Sequence, residues 1–195
     1  MALGPSHISI YGLSVEPGTV LSHNLRQGRW ILPTDDETGN MYDLIMDRLV
    51  KGGYERYEIS NFAKAGDKSR HNLVYWHYNP YLAFGAGATR FDGRTRENNP
   101  AYLAAYERGE APEIECLSPA VQREEMIFMN LRTVRGLSLL DYEARFGRSF
   151  AFDYGPQIEN LIHKGWAKWE DGHFCLTPLG MQYGNLAFEA FITTD

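Results

Sequence analysis

Two patterns divide this chain and predict its fold class. A strand–helix–strand run with long irregular segments leaving the C-terminal ends of its strands is the pattern of a β/α barrel. Three helices, a β-hairpin and a closing helix then make a winged-helix-like pattern. The chain therefore reads as α/β plus α+β. Residues 1–98 are the trailing part of an incomplete β/α barrel, 99–117 a helix and linker, and 118–195 a winged-helix-like C-terminal domain. Three strands cannot close a barrel, and a small free-standing sheet is the alternative for the first part. An incomplete barrel would expose apolar strand edges. Dimerisation, element swapping or other cover over the open edge is thus expected.

The elements follow in order. His7-Ile8-Ser9-Ile10-Tyr11 alternates polar and apolar and reads as a strand. Turn signals at Glu16-Pro17-Gly18 and Gln27-Gly28 lie in a long irregular stretch. Thr34-Asp35-Asp36-Glu37 has the form of a capping box, Met41, Leu44, Ile45 and Leu49 follow at helical spacing, and Gly52-Gly53 ends the helix. Tyr54–Ile59 is the next strand, which predicts a parallel pair with a right-handed crossover. After a second irregular stretch, 60–80, Tyr81–Ala88 reads as a third strand ending in small residues. Phe91-Asp92-Gly93-Arg94 marks a tight hairpin, and Asn99-Pro100 starts a short helix ending near Gly109. Glu110–Leu117 reads as a linker. Beyond it, Ser118-Pro119 and Ser138 cap helices, Pro156–Lys164 makes a third, Asp171-Gly172 turns a hairpin, and Thr177-Pro178 opens a last helix carrying Leu179, Tyr183 and Leu186.

The 195 residues, 44% hydrophobic and 23% charged, support a real core in an ordinary soluble chain. A net charge of −6 argues against general binding to a phosphate backbone. Residues 118–195 carry seven Lys/Arg against ten Asp/Glu, and the third helix there offers Gln157, Asn160 and Lys164 but also Glu159. The winged-helix-like pattern is therefore not read as a nucleic-acid module. Cys116 and Cys175 lie far apart and fit no metal spacing, so a reduced, cytoplasmic protein is the simpler reading. No apolar run reaches transmembrane length, and no signal-peptide pattern opens the chain.

Chemistry concentrates in Ser69–Tyr81, which holds His71 and His77 among Tyr75, Trp76, Tyr78 and Tyr81. In a helical turn, His71 and Tyr75 share one face while Asn72 and Trp76 share the next. A flat apolar wall would then stand beside an imidazole able to ligate metal. The same residues could equally form an aromatic lid over a core. His-Asn-x-x-Tyr-Trp, here His71-Asn72-Leu73-Val74-Tyr75-Trp76, resembles the signature of the HemW heme chaperones. Those are radical-SAM proteins related to oxygen-independent coproporphyrinogen III oxidase. His7–Leu13 with Glu16-Pro17-Gly18-Thr19, Tyr57–Ala63 and Gly85-Ala86-Gly87-Ala88 fit the same family in the same order.

The resemblance implies a barrel of the radical-SAM kind and a cargo of heme or porphyrin passed to an acceptor protein. The alternative is the oxidase, which decarboxylates propionate side chains by a radical route. Heme binding needs an axial donor, apolar faces and cations for the propionates. His71 supplies the iron ligand, with Asn72 an indirect contributor. Tyr75 and Trp76 supply the faces, and Arg70, Lys68 or Arg90 the cations. His77 is the competing ligand. In the related oxidases, strand ends at places comparable to Gly12, Leu13 and Ala88 border S-adenosylmethionine. The family's Cys-x-x-x-Cys-x-x-Cys motif for [4Fe–4S] is absent, so the chain alone is expected to be catalytically silent. Glu16 and Glu58 are candidate acid–base groups, equally readable as structural or surface carboxylates. Ser9, Ser14 and Ser60 have no visible activating partner.

Overall fold

The structure is a computed structural model that describes residues 3–192, and it divides into two compact units that part between Lys68 and Ser69. The first holds β1 (His7–Ser9), α1 (Val20–Arg26), α2 (Asp35–Lys51), β2 (Glu55–Arg56) and β3 (Asn61–Ala63). Helix α2 starts as its sequence predicts. The Thr34 hydroxyl accepts the Glu37 N–H at 3.2 Å, and Glu37 accepts the Thr34 N–H at 2.8 Å. The core of this unit is Leu49, Tyr54 and Phe62, with Ile8, Ile10, Ile45 and Met46 packed against it. Met41 and Leu44 remain 46% and 52% exposed, so the apolar stripe of α2 outruns the core it meets. Helix α1, N-capped by Thr19, occupies part of the stretch expected to be irregular.

The first sheet corrects the expected parallel pair. Its order is β1-β3-β2, with both outer strands antiparallel to β3. The segment read as one strand, Tyr54–Ile59, breaks after Arg56 because Glu58 turns inward, fully buried. Its carboxylate accepts the Ser60 N–H at 2.7 Å and closes a turn that sends Asn61–Ala63 back between the other strands. Ser9 then donates to Asn61 Oδ1 at 2.5 Å, directly across the pair.

The second unit opens with α3 (Arg70–Trp76). It continues through β4 (Thr89–Phe91), β5 (Thr95–Asn98), α4 (Leu103–Glu107), β6 (Glu113–Cys116), α5 (Pro119–Leu131), β7 (Leu137–Ser138) and α6 (Leu139–Phe146). It closes with α7 (Phe150–His163), β8 (Ala167–Glu170), β9 (His173–Leu176), α8 (Pro178–Gln182) and α9 (Gly184–Glu189). Two expectations fail here. Residues 82–88 form bends and turns, with only a Tyr81–Phe91 bridge to mark a strand. Gly85 and Gly87 take φ of +103° and +69°, which a continuous strand cannot accommodate. The expected linker instead supplies β6, which completes the antiparallel sheet β4-β5-β6. The hairpin between β4 and β5 is as expected. Asp92 accepts the N–H groups of Arg94 and Thr95 and the Thr95 hydroxyl, which hold its carboxyl down at about 2.

The C-terminal elements match the sequence closely. Ser118 and Ser138 cap α5 and α6, Gly147 ends α6 with φ +66°, and β8–β9 turn at Asp171-Gly172. Helix α7 begins earlier than expected, at Phe150, and kinks at Tyr154 just before Pro156, where the missing N–H costs least. The last helix is two, broken at Tyr183. Phe150 centres the core, its ring 5.3–5.8 Å from Tyr142, Tyr154, Phe174 and Phe191. Leu179, Tyr183 and Leu186 lie outside it, each about half exposed.

Among the described residues no helix is long and apolar enough to cross a membrane. Gly180 lets α8 approach β8, since a Cβ there would lie 1.8 Å from the Trp166 carbonyl oxygen. Gly180→Ala should lower unfolding stability by about 3 kcal/mol or more. Gly155→Ala, with open space at its Cβ, should change it by less than about 0.5 kcal/mol. Urea unfolding of both variants checks the contrast.

Candidate functional site

Helix α3 carries the densest set of candidate residues. Ser69 starts it by accepting the Asn72 N–H at 3.2 Å. The expected face-sharing is present. The Tyr75 hydroxyl lies 3.2 Å from His71 Nε2, and the two rings meet edge to face with centroids 5.0 Å apart. His71 and Arg70 are exposed, while Asn72, Tyr75 and Trp76 are half-buried. Tyr75 leads inward through Tyr81 at 4.6 Å, and Tyr81 leads on to Phe91 at 5.9 Å. The helix is thus both things its sequence allowed: an aromatic lid on its inner side and an open imidazole on its outer side.

The neighbouring face is held by cations. The Arg132 guanidinium lies 4.5 Å over the Trp76 ring, an attraction of about 0.5–2 kcal/mol. The Trp76 N–H is buried with no hydrogen-bond partner among the described residues. One residue past the helix cap, Tyr78 is buried, donates to Glu125 at 2.8 Å and packs its ring beneath Arg145 at 4.7 Å. Burial and the Glu125 carboxylate push the Tyr78 hydroxyl far above the ordinary phenol range.

Beside the end of α3 runs a cleft of about 930 Å³, lined by His77, Asn130, Arg135, Asp141, Arg145 and His173 among others. His173 donates Nδ1–H to the Asp171 carbonyl at 2.9 Å. His77 is exposed as a residue, yet it lines this cleft. Desolvation there, followed by repulsion from Arg135, pulls its pKa below the ordinary value, with Asp141 opposing in part.

The other candidates lie outside α3. Gly12 and Leu13 are exposed in the segment after β1, in the first unit. Ala88 precedes β4 and so stands at the start of a strand, not at the end expected for it. Of the candidate cations, Arg90 is paired with Glu97 at 3.1 Å. Glu16 is exposed in a loop, and Glu58 closes the turn after β2. Tyr78, Glu125, Arg132 and Arg145 were not singled out by sequence. Only the position of Tyr78 within the aromatic stretch pointed toward it.

The helix–hairpin region is of a known kind: residues 117–183 match the HemN C-terminal domain. More specifically, the chain is similar to curated proteins named heme chaperone HemW. Identity is 36% with that of Lactococcus lactis, over 97% of this chain and 51% of the relative. It is 35% with that of Bacillus subtilis, over 98% and 52%. The likeness to HemW read from the motifs therefore holds over nearly the whole chain. The chain spans about half the length of these relatives. Among solved structures, the coproporphyrinogen III oxidase HemN from Escherichia coli, described as a radical SAM enzyme, matches with a TM-score of 0.72. That match covers 98% of this chain and 49% of HemN at 16% identity, which establishes likeness of fold.

The lowered His77 pKa has a definite sign. An imidazole harder to protonate when folded contributes stability that is complete above its unfolded value of about 6.5 and is lost as pH falls through the folded value. In an NMR titration, His77 should show a midpoint below about 6.5 that rises in Arg135→Gln. A midpoint above that value, or one indifferent to Arg135, would contradict this arrangement.

Proposed function

We propose that this chain is the C-terminal portion of a HemW-like radical-SAM protein that binds heme and delivers it to an acceptor protein. The carrying observation is the exposed His71 imidazole held by the half-buried Tyr75, within a segment spelled His-Asn-x-x-Tyr-Trp. His71 is the iron ligand, and Tyr75 and Trp76 give the macrocycle its apolar contact. Asn72 adds support from the adjoining face, and Arg70 is a cation for the propionates. Ligation through Nε2 displaces the Tyr75 hydroxyl, so that bond is a placeholder for iron. In this reading residues 1–98 derive from the radical-SAM barrel, with Gly12, Leu13 and Ala88 toward S-adenosylmethionine. Residues 99–117 connect, and 118–195 form a winged-helix-like C-terminal domain. The apolar stripe of α2 left in water is consistent with a partner surface, which a second copy could supply. The setting is cytoplasmic, without a nucleic-acid partner.

The second reading, a portion of oxygen-independent coproporphyrinogen III oxidase, is favoured by the fold neighbour and by the C-terminal domain match. In either reading a [4Fe–4S] cluster and S-adenosylmethionine belong to the parent. The residues present do not fit the cluster. Cys116 is exposed on β6 and Cys175 is buried in β9, too few thiolates for the family's three-cysteine motif. Anaerobic reconstitution should therefore yield no stoichiometric cluster.

Hemin titration tests the main reading. His71→Ala should abolish the specific Soret shift with little loss of stability, because its ring is exposed. Trp76→Ala should cost about 3–5 kcal/mol if the ring is mainly core, and less if it mainly faces the macrocycle. Equal hemin affinity in the wild type, His71→Ala and His77→Ala would refute ligation from this segment.

A further inference from the structure

Helix α3 ends in a way its sequence does not favour. His77 is the cap, and Tyr78 follows with φ +55°. The Tyr78 N–H bonds the Tyr75 carbonyl at 2.9 Å, and the Asn79 N–H bonds the Val74 carbonyl at 3.0 Å. That pair of bonds is the Schellman arrangement, in which the left-handed position is ordinarily glycine because a Cβ there crowds the following carbonyl. A tyrosine at this position is strained, and it persists only if its side chain over-determines the site.

The side chain does so. Its hydroxyl is fixed by Glu125 Oε2 at 2.8 Å, and Glu125 Oε1 is fixed in turn by Arg96 at 2.5 Å. The ring lies between Arg145, at 4.7 Å, and Phe91, at 4.8 Å. Arg145 is itself tied to the Gly93 carbonyl at 2.5 Å. One residue thus both ends the helix that carries His71, Tyr75 and Trp76 and bolts that end to α5 and to the β4–β5 hairpin. A glycine would end the helix with less strain but leave it without the bolt.

We propose that Tyr78 is the positioning residue of the heme-contact helix. It sets the angle at which α3 presents its outer face and touches no cargo itself. The inference rests on α3 being the heme-contact segment, so its test needs one readout that does not involve heme.

The experiment compares Tyr78→Gly, Tyr78→Phe and wild type in the full chain, by amide hydrogen exchange over residues 70–77 and by hemin titration. Tyr78→Gly keeps the backbone cap and removes the bolt. Exchange in α3 should quicken by about tenfold or more while α7 stays protected, because opening is local. Hemin affinity should fall by about tenfold or more. Tyr78→Phe keeps the ring beneath Arg145 and should fall between the two. Should Tyr78→Gly fail to fold, Tyr78→Phe with Glu125→Leu decides: both must quicken α3 exchange, since both remove the bond between the Tyr78 hydroxyl and the Glu125 carboxylate. If relief of strain leaves α3 exchange equal or slower and hemin affinity unchanged, Tyr78 is a cap and nothing more, and the proposal is overturned. If wild type shows no His71-dependent hemin binding, the heme reading falls. The exchange arm then still decides whether Tyr78 holds the helix.

Discussion

The Glu125 carboxylate is the point on which the arrangement around α3 depends. One oxygen accepts the Tyr78 hydroxyl, and the other pairs with Arg96, which also reaches Glu115 at 3.2 Å. Four segments meet there: the end of α3, β5, β6 and α5. The carboxylate and guanidinium are only about one-fifth to one-quarter exposed, so solvent screens them less than a surface pair. Each partner also guards against the cost of leaving the other half-buried and unpaired. The three-stranded sheet β4-β5-β6 has little apolar side-chain content of its own, and β6 is exposed along its length. Its place in the second unit comes largely from this network and from Phe91.

The anchoring leaves α3 with two different sides. Inward, Tyr75, Tyr81, Phe91 and Tyr78 form a run of contacting rings, while Arg132 covers Trp76. Outward, the exposed His71 imidazole meets the Tyr75 hydroxyl and ring edge. In the heme reading proposed above, the inner side supplies the rigid support that fixes the direction of the His71 ring, and the Tyr75 contact keeps that ring oriented. The Trp76 N–H, without a hydrogen-bond partner among the described residues, is an imperfect element of that support, a cost of about 1–3 kcal/mol when fully desolvated.

Local signals in the sequence were reliable where the physics is local. The Thr34–Glu37 capping box, the Ser118 and Ser138 caps, and the Asp171-Gly172 turn all stand where residue type places them. Strand pairing was less legible, because partners are chosen by contacts far apart in sequence. Glu58 reads as one more polar position in a strand, yet its burial ends β2 and admits β3. Glu113–Cys116 looks like linker because its pairing to β5 is almost entirely backbone, with side chains in water. At the site, the His71–Tyr75 face followed from helical spacing alone. Arg132, Glu125 and Arg145 lie at least 47 residues from the rings they hold, as the Tyr78–Glu125 separation shows, and no local pattern marks them.

Whether the His71 imidazole on the outer face of α3 holds heme iron is open to direct measurement. Pulsed electron paramagnetic resonance of the ferric heme complex, with all six histidines carrying ¹⁵N, reads that bond directly. The account predicts a strongly coupled axial ¹⁵N signal in the wild-type chain that disappears in His71→Ala and survives in His77→Ala. A signal that survives the loss of His71 and disappears with His77 would move the ligand into the cleft beyond the end of α3 and contradict the account.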